Sequence, residues 1–368
     1  MNTHTRTIII TSNEPWGDVW FSKHYYAIEL AKLGHKVYFL NSPESWEILN
    51  FFSLSIRKIP ISENLVVVNY QNNFPLRIFK RFFLKINDFI NSLKIANIVM
   101  ERGEIIWWQF DPFRFVDIWF FRNAKRIFHI TDPYFEILTN ISIAKNADLI
   151  VLLLDRYFFQ YSSINKNVII IPHGINKEEF LVNKILIEKL KNEFPDSILF
   201  IGSIDDQYNI GLLDKISDGF PTFTLLLIGP EKLKMKNNIT VFQKMLQKPN
   251  VRWLGQQKTF ELKNFISSSL VCIVPYLFNI ENQKGSSIKV IHYLAHQKIV
   301  VTSIKTGYEH LINEGIYFAE NEKEFLNLIS NALQNKLVFN KDKINEYLKS
   351  INYPNLIDRI LKQVNNSK

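Results

Sequence analysis

The chain has 368 residues, of which 47% are apolar and 21% charged, and its formal net charge is +9. This length predicts two domains, and the composition is that of a globular protein. The single cysteine, Cys272, excludes a disulfide framework and a cysteine-based metal cluster, and it predicts a reducing cytosolic compartment.

The excess of positive charge favours anionic partners such as phosphates, nucleotides or acidic lipid. No secretory signal is readable at the amino terminus. The apolar run at residues 149–154 is far too short to cross a bilayer. We therefore expect any membrane contact to be peripheral.

The first forty residues predict a strand, a helix and a second strand. Residues 7–11 form an apolar run, a turn-rich loop follows at 13–18, and a helical pattern covers 20–33 before a second run at 37–40. This βαβ pattern is typical of the start of a doubly wound domain.

Two later strands, predicted at residues 105–110 and 126–131, each end in an Asp-Pro pair. An aspartate at the carboxyl end of a parallel strand lies where α/β enzymes carry out their chemistry. Asp-Pro is equally ordinary turn chemistry. We favour a functional role for Asp132 and the turn for Asp111.

Residues 74–93 interleave aromatic and basic side chains in a pattern compatible with a helix. Such a segment suits an interfacial helix on anionic lipid, and it equally suits an ordinary helix that is buried on one face. No recognised nucleic-acid-binding motif accompanies it, so we expect no nucleic-acid partner.

The second half of the chain predicts three further strands that are each followed by a glycine. The pairs that follow these strands are Gly202-Ser203, Gly229-Pro230 and Gly255-Gln256. A glycine just beyond the carboxyl end of a strand lets the backbone approach a nucleotide.

The segment at residues 270–303 predicts a strand, a loop, a helix and another strand. The first strand ends at Pro275-Tyr276, and the helix opens on Ser286, Ser287 and Lys289. This arrangement directs free N–H groups and a positive dipole at a phosphate. The alternative is that the serines only cap a helix and that Lys289 is solvated.

Residues 286–301 read SSIKVIHYLAHQKIVV and resemble the donor-binding segment S-P-L-K-x-x-E-Y-x-A-x-G-x-P-V-V of GT-B glycosyltransferases of family 4, such as the teichuronic-acid type. The second glutamate of that family's Glu-x7-Glu pair is His292 here, and the position eight residues earlier is Lys284. The stretch from Ile288 to His292 is closer to the Met-Lys-x-x-Gln form of the xanthan glucuronosyltransferase type. The stretch IPHGIN at residues 171–176 resembles the end of the amino-terminal domain in the same superfamily.

The resemblance implies an α/β GT-B fold, with two Rossmann-like doubly wound domains facing a cleft. Residues 1–172 would bind the acceptor and residues 173–345 the nucleotide sugar. Residues 346–368 would form a carboxy-terminal helix that returns to the first domain.

The resemblance also implies a metal-independent glycosyltransferase of the hexosyltransferase class that needs no cofactor, with a UDP-sugar as the favoured donor. Lys289 and the N–H groups after Ser286 would stabilise the leaving diphosphate, and Asp132 would be the base of an inverting reaction. The remaining donor contacts would come from the three glycine pairs, Tyr276, Ser287, Ile288 and His292.

On the acceptor side, the resemblance points to Trp16, Gly17 and His24. Alternatively, Trp16 is a core anchor and His24 an exposed helix residue. The acceptor would be a glycan or lipid-linked glycan in surface polysaccharide synthesis, reached by a cytoplasmic protein that contacts the inner face of the membrane through residues 74–93. Two rival functions remain, a catalytically degenerate nucleotide- or glycan-binding protein and a UDP-sugar epimerase.

Overall fold

The computed structural model describes residues 5–44, 54–76, 80–99, 103–132, 134–279 and 286–366, without the side chains of Lys80 and Arg81. The chain divides into two compact units. Unit 1 comprises Met1–Gly174 and Tyr353–Lys368, and unit 2 comprises Ile175–Asn352.

Unit 1 is built on an eight-stranded sheet with the strand order β3-β4-β2-β1-β5-β6-β7-β8. All neighbouring strands are parallel except β3 and β4. The strands β1 to β8 are Thr7–Thr11, Lys36–Leu40, Ile56–Ser62, Leu65–Tyr70, Ile105–Gln109, Lys125–Ile130, Leu149–Leu152 and Val168–Ile170. The helices α1 to α4 are Ser22–Lys32, Lys80–Ala96, Leu138–Lys145 and Phe158–Ser162.

Strand β1 shows why this sheet needs layers on both sides. All five of its residues are buried. Ile8 and Ile10 pack into one core and Ile9 packs into another, because successive side chains of a strand point to opposite faces. A parallel sheet that is buried on both faces has continuous apolar strands, which is the pattern read in the sequence.

The last helix of the chain, α12 at Tyr353–Asn366, completes the core of unit 1. It packs against α1, and its Tyr353 ring lies 5.6 Å from the ring of Tyr25. Unit 2 extends to Asn352, seven residues beyond the predicted boundary at residue 345. The helix that precedes it, α11 at Lys341–Ser350, belongs to unit 2 because its Ile344 and Leu348 pack into the core of that unit.

Unit 2 has a six-stranded parallel sheet with the order β11-β10-β9-β12-β13-β14. The strands β9 to β14 are Ile198–Ile201, Leu225–Ile228, Val251–Trp253, Val271–Val274, Ile299–Thr302 and Ile316–Phe318. The helices α5 to α10 are Lys184–Glu193, Ile210–Gly219, Lys236–Met245, Thr259–Ser268, Ile288–Ala295 and Glu322–Leu333. The predicted fold class, α/β with two doubly wound parallel-sheet domains, is confirmed.

The strand order of unit 2 reverses between β9 and β12. Counted from β9, the sheet has the order 3-2-1-4-5-6, in which ligands bind outside the carboxyl ends of the strands at the reversal. The segments that leave these two strands begin at Gly202 and at Pro275. The fold therefore brings two of the predicted donor segments to the point where a nucleotide is expected.

No helix in the described part of the chain has the length and apolar character that spanning a membrane requires.

A substitution at Gly174 tests how tightly α12 packs. A Cβ atom at this residue would lie 2.6 to 2.8 Å from carbons of the buried Tyr353 ring. Because that ring is itself held against Tyr25 and Tyr26, we expect Gly174→Ala to destabilise unit 1 by about 1–3 kcal/mol, the usual cost of overpacking. Thermal unfolding measures the effect.

The control for this prediction is Gly103→Ala, because a Cβ atom at Gly103 meets nothing within 4 Å. Equal melting temperatures for the two variants would contradict the proposed packing constraint.

Candidate functional site

The glycines after β9 and β10 are required by close packing of the two loops. A Cβ atom on Gly229 would overlap the carbonyl of Gly202, and one on Gly202 would overlap the Nζ atom of Lys289. Both glycines also have positive φ angles, of 142° and 150°. Gly202 and Gly229 are thus required for the packing of the backbone and of Lys289.

The remaining members of the glycine pairs lie at the same edge of the sheet. Ile204 donates its N–H to the carbonyl of Pro230 at 2.9 Å, and Gly229 donates its own to Gly255 at 2.8 Å. Gly255 has a φ of 62° and open space where a Cβ atom would lie. Ser203 is half-buried and Gln256 is exposed. The structure therefore brings all three predicted pairs together.

Lys289, in the first turn of α9, points into an aromatic cage. Its Nζ donates to the Tyr208 hydroxyl at 2.6 Å and lies 5.0 Å from the ring centre of Phe200 and 5.8 Å from that of Tyr276. Burial lowers the pKa of Lys289 to about 7, although Asp205 opposes the shift. Lys289 is therefore not the solvated lysine of the alternative interpretation.

Tyr208 and Tyr276 form the wall of this cage. Their rings stack with 4.3 Å between centres, and the Tyr208 hydroxyl donates to that of Tyr276 at 2.9 Å. Tyr276 was predicted from its position after β12, whereas Tyr208 was missed. No motif marks Tyr208, which lies in a loop before α6 and reaches the site only through the fold.

The serines at the start of α9 do not act as simple caps. Ser287 is the N-cap residue, yet its side chain caps no N–H group. Its buried hydroxyl has no hydrogen-bond partner among the described residues. The Ser287 carbonyl accepts from the hydroxyl of Tyr308 at 2.8 Å, and Ser286 also hydrogen-bonds Tyr308. Ile288 is half-buried at the first position of the helix.

His292 forms an ionic cluster with a carboxylate that the sequence analysis missed. Its Nδ1 lies 3.0 Å from the Oε1 of Glu179, and the Nε2 of His296 lies 3.3 Å from the same oxygen. Burial opposes ionisation of His292, but the carboxylate raises its pKa. Burial raises the pKa of Glu179, but the two imidazoles outweigh it and hold that pKa well below its usual range. A carboxylate thus stands beside the helix position where the family has glutamate.

In unit 1, the loop after β1 is anchored by aromatic and histidine side chains. His24 is fully buried, accepts the Phe21 N–H at 3.0 Å through Nδ1, and lies 3.2 Å from the Pro15 carbonyl through Nε2. Burial lowers its pKa to about 4. The interpretation of His24 as an exposed helix residue is therefore wrong.

Trp16 packs against His24 and Phe39 at 5.4 and 5.0 Å, as a core anchor would, but it remains half-buried. Gly17 is exposed and has open space around it, so no packing requirement explains the glycine. The structure therefore gives Trp16 and His24 a role in holding the loop.

The two strand-end aspartates have different surroundings. Asp111 is fully buried, accepts the Phe113 N–H at 2.7 Å in the predicted turn, and pairs with Arg114. Asp132 is exposed, and its carboxylate accepts a hydrogen bond from the Thr131 hydroxyl at 3.4 Å. Only Asp132 offers a carboxylate to a second molecule.

Lys23 is a further residue that the sequence analysis missed. It is 3% exposed, donates to the Asn13 side chain at 2.7 Å, and pairs with Glu14. Burial lowers its pKa to about 8, against the fields of Asp132 and Asp111. A recess of about 10 Å³ beside Asp132 has room for roughly one water molecule.

Helix α2 is buried on one face, and most of its buried side chains are polar. Its buried face carries Asn87, Asp88 and Asn91, each of which bonds to a neighbouring loop. Its exposed face carries Phe82 and Phe89, with Lys85 between them. The helix is therefore buried on one face, as the alternative interpretation expected, but that face is largely polar. Arg77, within the predicted segment 74–93, and Lys284 lie outside the described residues.

A comparison with protein families matches part of unit 2. Residues 195–335 match the family described as "Glycosyl transferases group 1". A protein of Bacillus subtilis (strain 168) named "Putative teichuronic acid biosynthesis glycosyltransferase TuaH" is 27% identical over 133 residues. That alignment covers 36% of this chain and 33% of TuaH, about a third of its length.

Solved structures match the whole chain. Sucrose-phosphate synthase from Thermosynechococcus elongatus has a TM-score of 0.72 at 15% identity, over 99% of this chain and 100% of that one. Anabaena HepE, solved with UDP and glucose, has a TM-score of 0.67 at 11% identity, over 99% and 100%. These structures confirm the GT-B fold.

The Glu179–His292 pair predicts a pH-dependent stability. Because the pKa of His292 is raised in the folded state, this residue stabilises the fold at pH values below about 6.5, the ordinary pKa of histidine. This contribution is lost as the pH rises through the raised pKa. The lowered pKa of Glu179 stabilises the fold above about 4.3, and this contribution is lost as the pH falls. We expect Glu179→Gln to cost roughly 1–3 kcal/mol near pH 6 and less near pH 9, by thermal unfolding at both pH values.

The control is Glu188→Gln, which removes the exposed partner of Lys191 and should cost less than about 1 kcal/mol at either pH. A Glu179→Gln effect that grows from pH 6 to pH 9 would rule out the ionic cluster.

Proposed function

We propose that the protein transfers a sugar from a UDP-sugar to a glycan or lipid-linked glycan, without a metal or cofactor. The observation that carries this proposal is Lys289, whose amino group lies beside Gly202 where the strand order of unit 2 reverses. The match of residues 195–335 to group 1 glycosyltransferases covers this same region. The structures of HepE with UDP support uridine as the nucleotide.

In the proposed reaction, Lys289 stabilises the leaving diphosphate. With a pKa of about 7, it is partly neutral before the donor binds, which reduces the cost of its burial. A diphosphate close to Nζ would favour the charged form again. The lysine would then carry its full charge when negative charge develops on the leaving group, the condition for electrostatic catalysis.

His292 would hydrogen-bond the ribose or the sugar of the donor. The Glu179 carboxylate fixes the Nδ1 side of its ring, which leaves Nε2 as the group for a ligand. An imidazole that is oriented by a carboxylate is a well-defined hydrogen-bond donor. This arrangement would replace the glutamate that the family carries at the same helix position.

Asp132 would act as the acceptor base. Its carboxylate is exposed at the carboxyl end of β6, and the buried Lys23 provides a positive field nearby. A base must reach the proton it removes, and Asp132 satisfies this requirement whereas Asp111 is enclosed.

A catalytically degenerate binding protein is the second candidate function. The observation in its favour is that His292 replaces a family glutamate. An assay of UDP release from a UDP-sugar separates the two functions. UDP would stabilise a binding protein, but that protein would release no UDP from a UDP-sugar. Screening several UDP- and GDP-sugars in both assays identifies the donor.

We further propose that α2 holds unit 1 against an anionic membrane surface. The exposed Phe89 lies 5.3 Å from the ring of the exposed Phe120 and 5.6 Å from that of Trp119, so these aromatics form one surface. Aromatic side chains with interspersed cations are typical of interfacial binding.

Two substitutions test the division of roles between the units. Lys289→Ala should reduce transfer by roughly 10²- to 10³-fold, because one electrostatic contact to the leaving group is lost. Asp132→Asn should lose turnover while it keeps affinity for UDP, since its role is on the acceptor side. Initial rates and UDP titrations measure both effects, and the exposed Lys323→Ala is the control.

A folded Lys289→Ala protein with near-normal activity would remove the phosphate role of this lysine. Loss of UDP binding in Asp132→Asn would remove that residue as acceptor base.

The membrane proposal predicts that replacing Arg77, Lys80, Arg81 and Lys85 by serine releases the protein from acidic vesicles. Each cation near an anionic surface contributes about 1 kcal/mol, and the residual binding should be insensitive to salt. Co-sedimentation with anionic liposomes at low and high salt measures the bound fraction.

A control with the same net charge replaces four exposed lysines of unit 2 by serine, Lys189, Lys234, Lys323 and Lys336. Equal bound fractions for the two quadruple variants would show that only overall charge matters.

A further inference from the structure

Unit 1 contains a cavity at the edge of its sheet opposite to Asp132. The cavity has a volume of about 480 Å³ and is lined by the segment before β6 and the residues just before β7. Asp132 follows the carboxyl end of β6, whereas Lys125 in the cavity wall begins that strand. Six residues of strand separate the two edges by roughly 17 Å. The cavity is therefore a different place from the proposed acceptor site.

The cavity has the size of a ligand site and an unusually polar lining. Pockets that enclose small molecules measure roughly 300–1,000 Å³. The lining residues whose side chains can form hydrogen bonds are Asp117, Trp119, Arg122, Asn123, Asn146 and Asp148. The lining thus offers hydrogen-bond donors and acceptors in similar number.

Two donors in the wall lack partners. The Nε1 of Trp119 and the Nε of Arg126 are both buried, and neither has a hydrogen-bond partner among the described residues. Arg126 is 4% exposed, and its other nitrogens bond to Gln109 and to backbone carbonyls. Buried polar atoms are normally satisfied, so these two are donors in the wall that an oxygen acceptor would satisfy.

The charges around the cavity nearly cancel. Asp117 and Asp148 lie close enough to Arg126 to influence its ionisation. Lys125 lies 3.5 Å from the carboxylate of Glu104. Arg122 is exposed, with its guanidinium over the Trp119 ring at 5.1 Å. A phosphate would meet these carboxylates, so the arrangement favours a neutral ligand.

We propose that this cavity binds a neutral saccharide. Hydroxyl groups both donate and accept, and they would therefore match a lining that mixes carboxylates, amides and guanidinium groups. Trp119 contributes an aromatic ring and an N–H group to the wall. The proposal does not depend on the transfer activity, because no residue of the proposed donor or acceptor site is involved.

The test is saturation-transfer NMR of the full chain with three neutral disaccharides: maltose, cellobiose and diacetylchitobiose. At least one should bind at millimolar concentration. The double variant Arg122→Ala/Asn146→Ala should weaken this binding by about tenfold, since it loses a charged hydrogen bond and a neutral one. Trp119→Phe keeps a ring against Phe89 but removes the N–H group, so it should weaken binding by a smaller factor.

Two control proteins complete the design. Arg57→Ala/Lys58→Ala removes exposed cations on the edge strand β3, and it should bind the sugar normally. Lys289→Ala should also bind normally, which separates this site from the proposed donor site.

The proposal is overturned if none of the three sugars binds. It is equally overturned if binding survives in the Arg122→Ala/Asn146→Ala protein with an unchanged melting temperature. Binding of inorganic phosphate instead, dependent on Arg122, would make the cavity an anion or lipid-headgroup site.

Discussion

The proposed donor site depends on how closely two backbones approach each other. Gly229 and the Gly202 carbonyl leave no room for a side chain between them, and Gly202 also leaves the space that Lys289 fills. Any side chain at either glycine would separate two adjacent strands or expel the lysine. The lack of side chains at these two glycines therefore shapes the site without any ligand. Tyr208 and Tyr276 then fix the position of the lysine.

In the interior of unit 1, buried charged side chains hold loops in position, as the glycines do in unit 2. Asp111, Arg114, Asp88 and Arg126 are all buried, and they bond to loop backbone that would otherwise be unsatisfied. Removing one member of such a pair leaves a buried charge without compensation, which costs several kcal/mol. These networks hold the loops of the sheet in defined positions, and they explain how a helix such as α2 can have a polar buried face.

The central strands were predictable because burial on both faces leaves an apolar run, as in β1, β9 and β13. Strands β3 and β14 were not predicted. The edge strand β3 is largely exposed and contains Pro60, and β14 has only three residues. Glu179 and Tyr208 were missed for a different reason, since no local pattern shows that Glu179, in the short helix Lys177–Phe180, meets His292 more than a hundred residues later.

The return of α12 to unit 1 has a consequence for the order of folding. The core that it completes is otherwise built from residues up to 174, and the whole of unit 2 lies between these segments in the chain. At about 5–20 residues per second, a ribosome takes on the order of ten seconds or more to synthesise that interval. During this time the nascent first unit exposes the apolar surface that Leu356 and Ile360 later cover. The core of unit 1 can therefore close only after the whole of unit 2 has been synthesised.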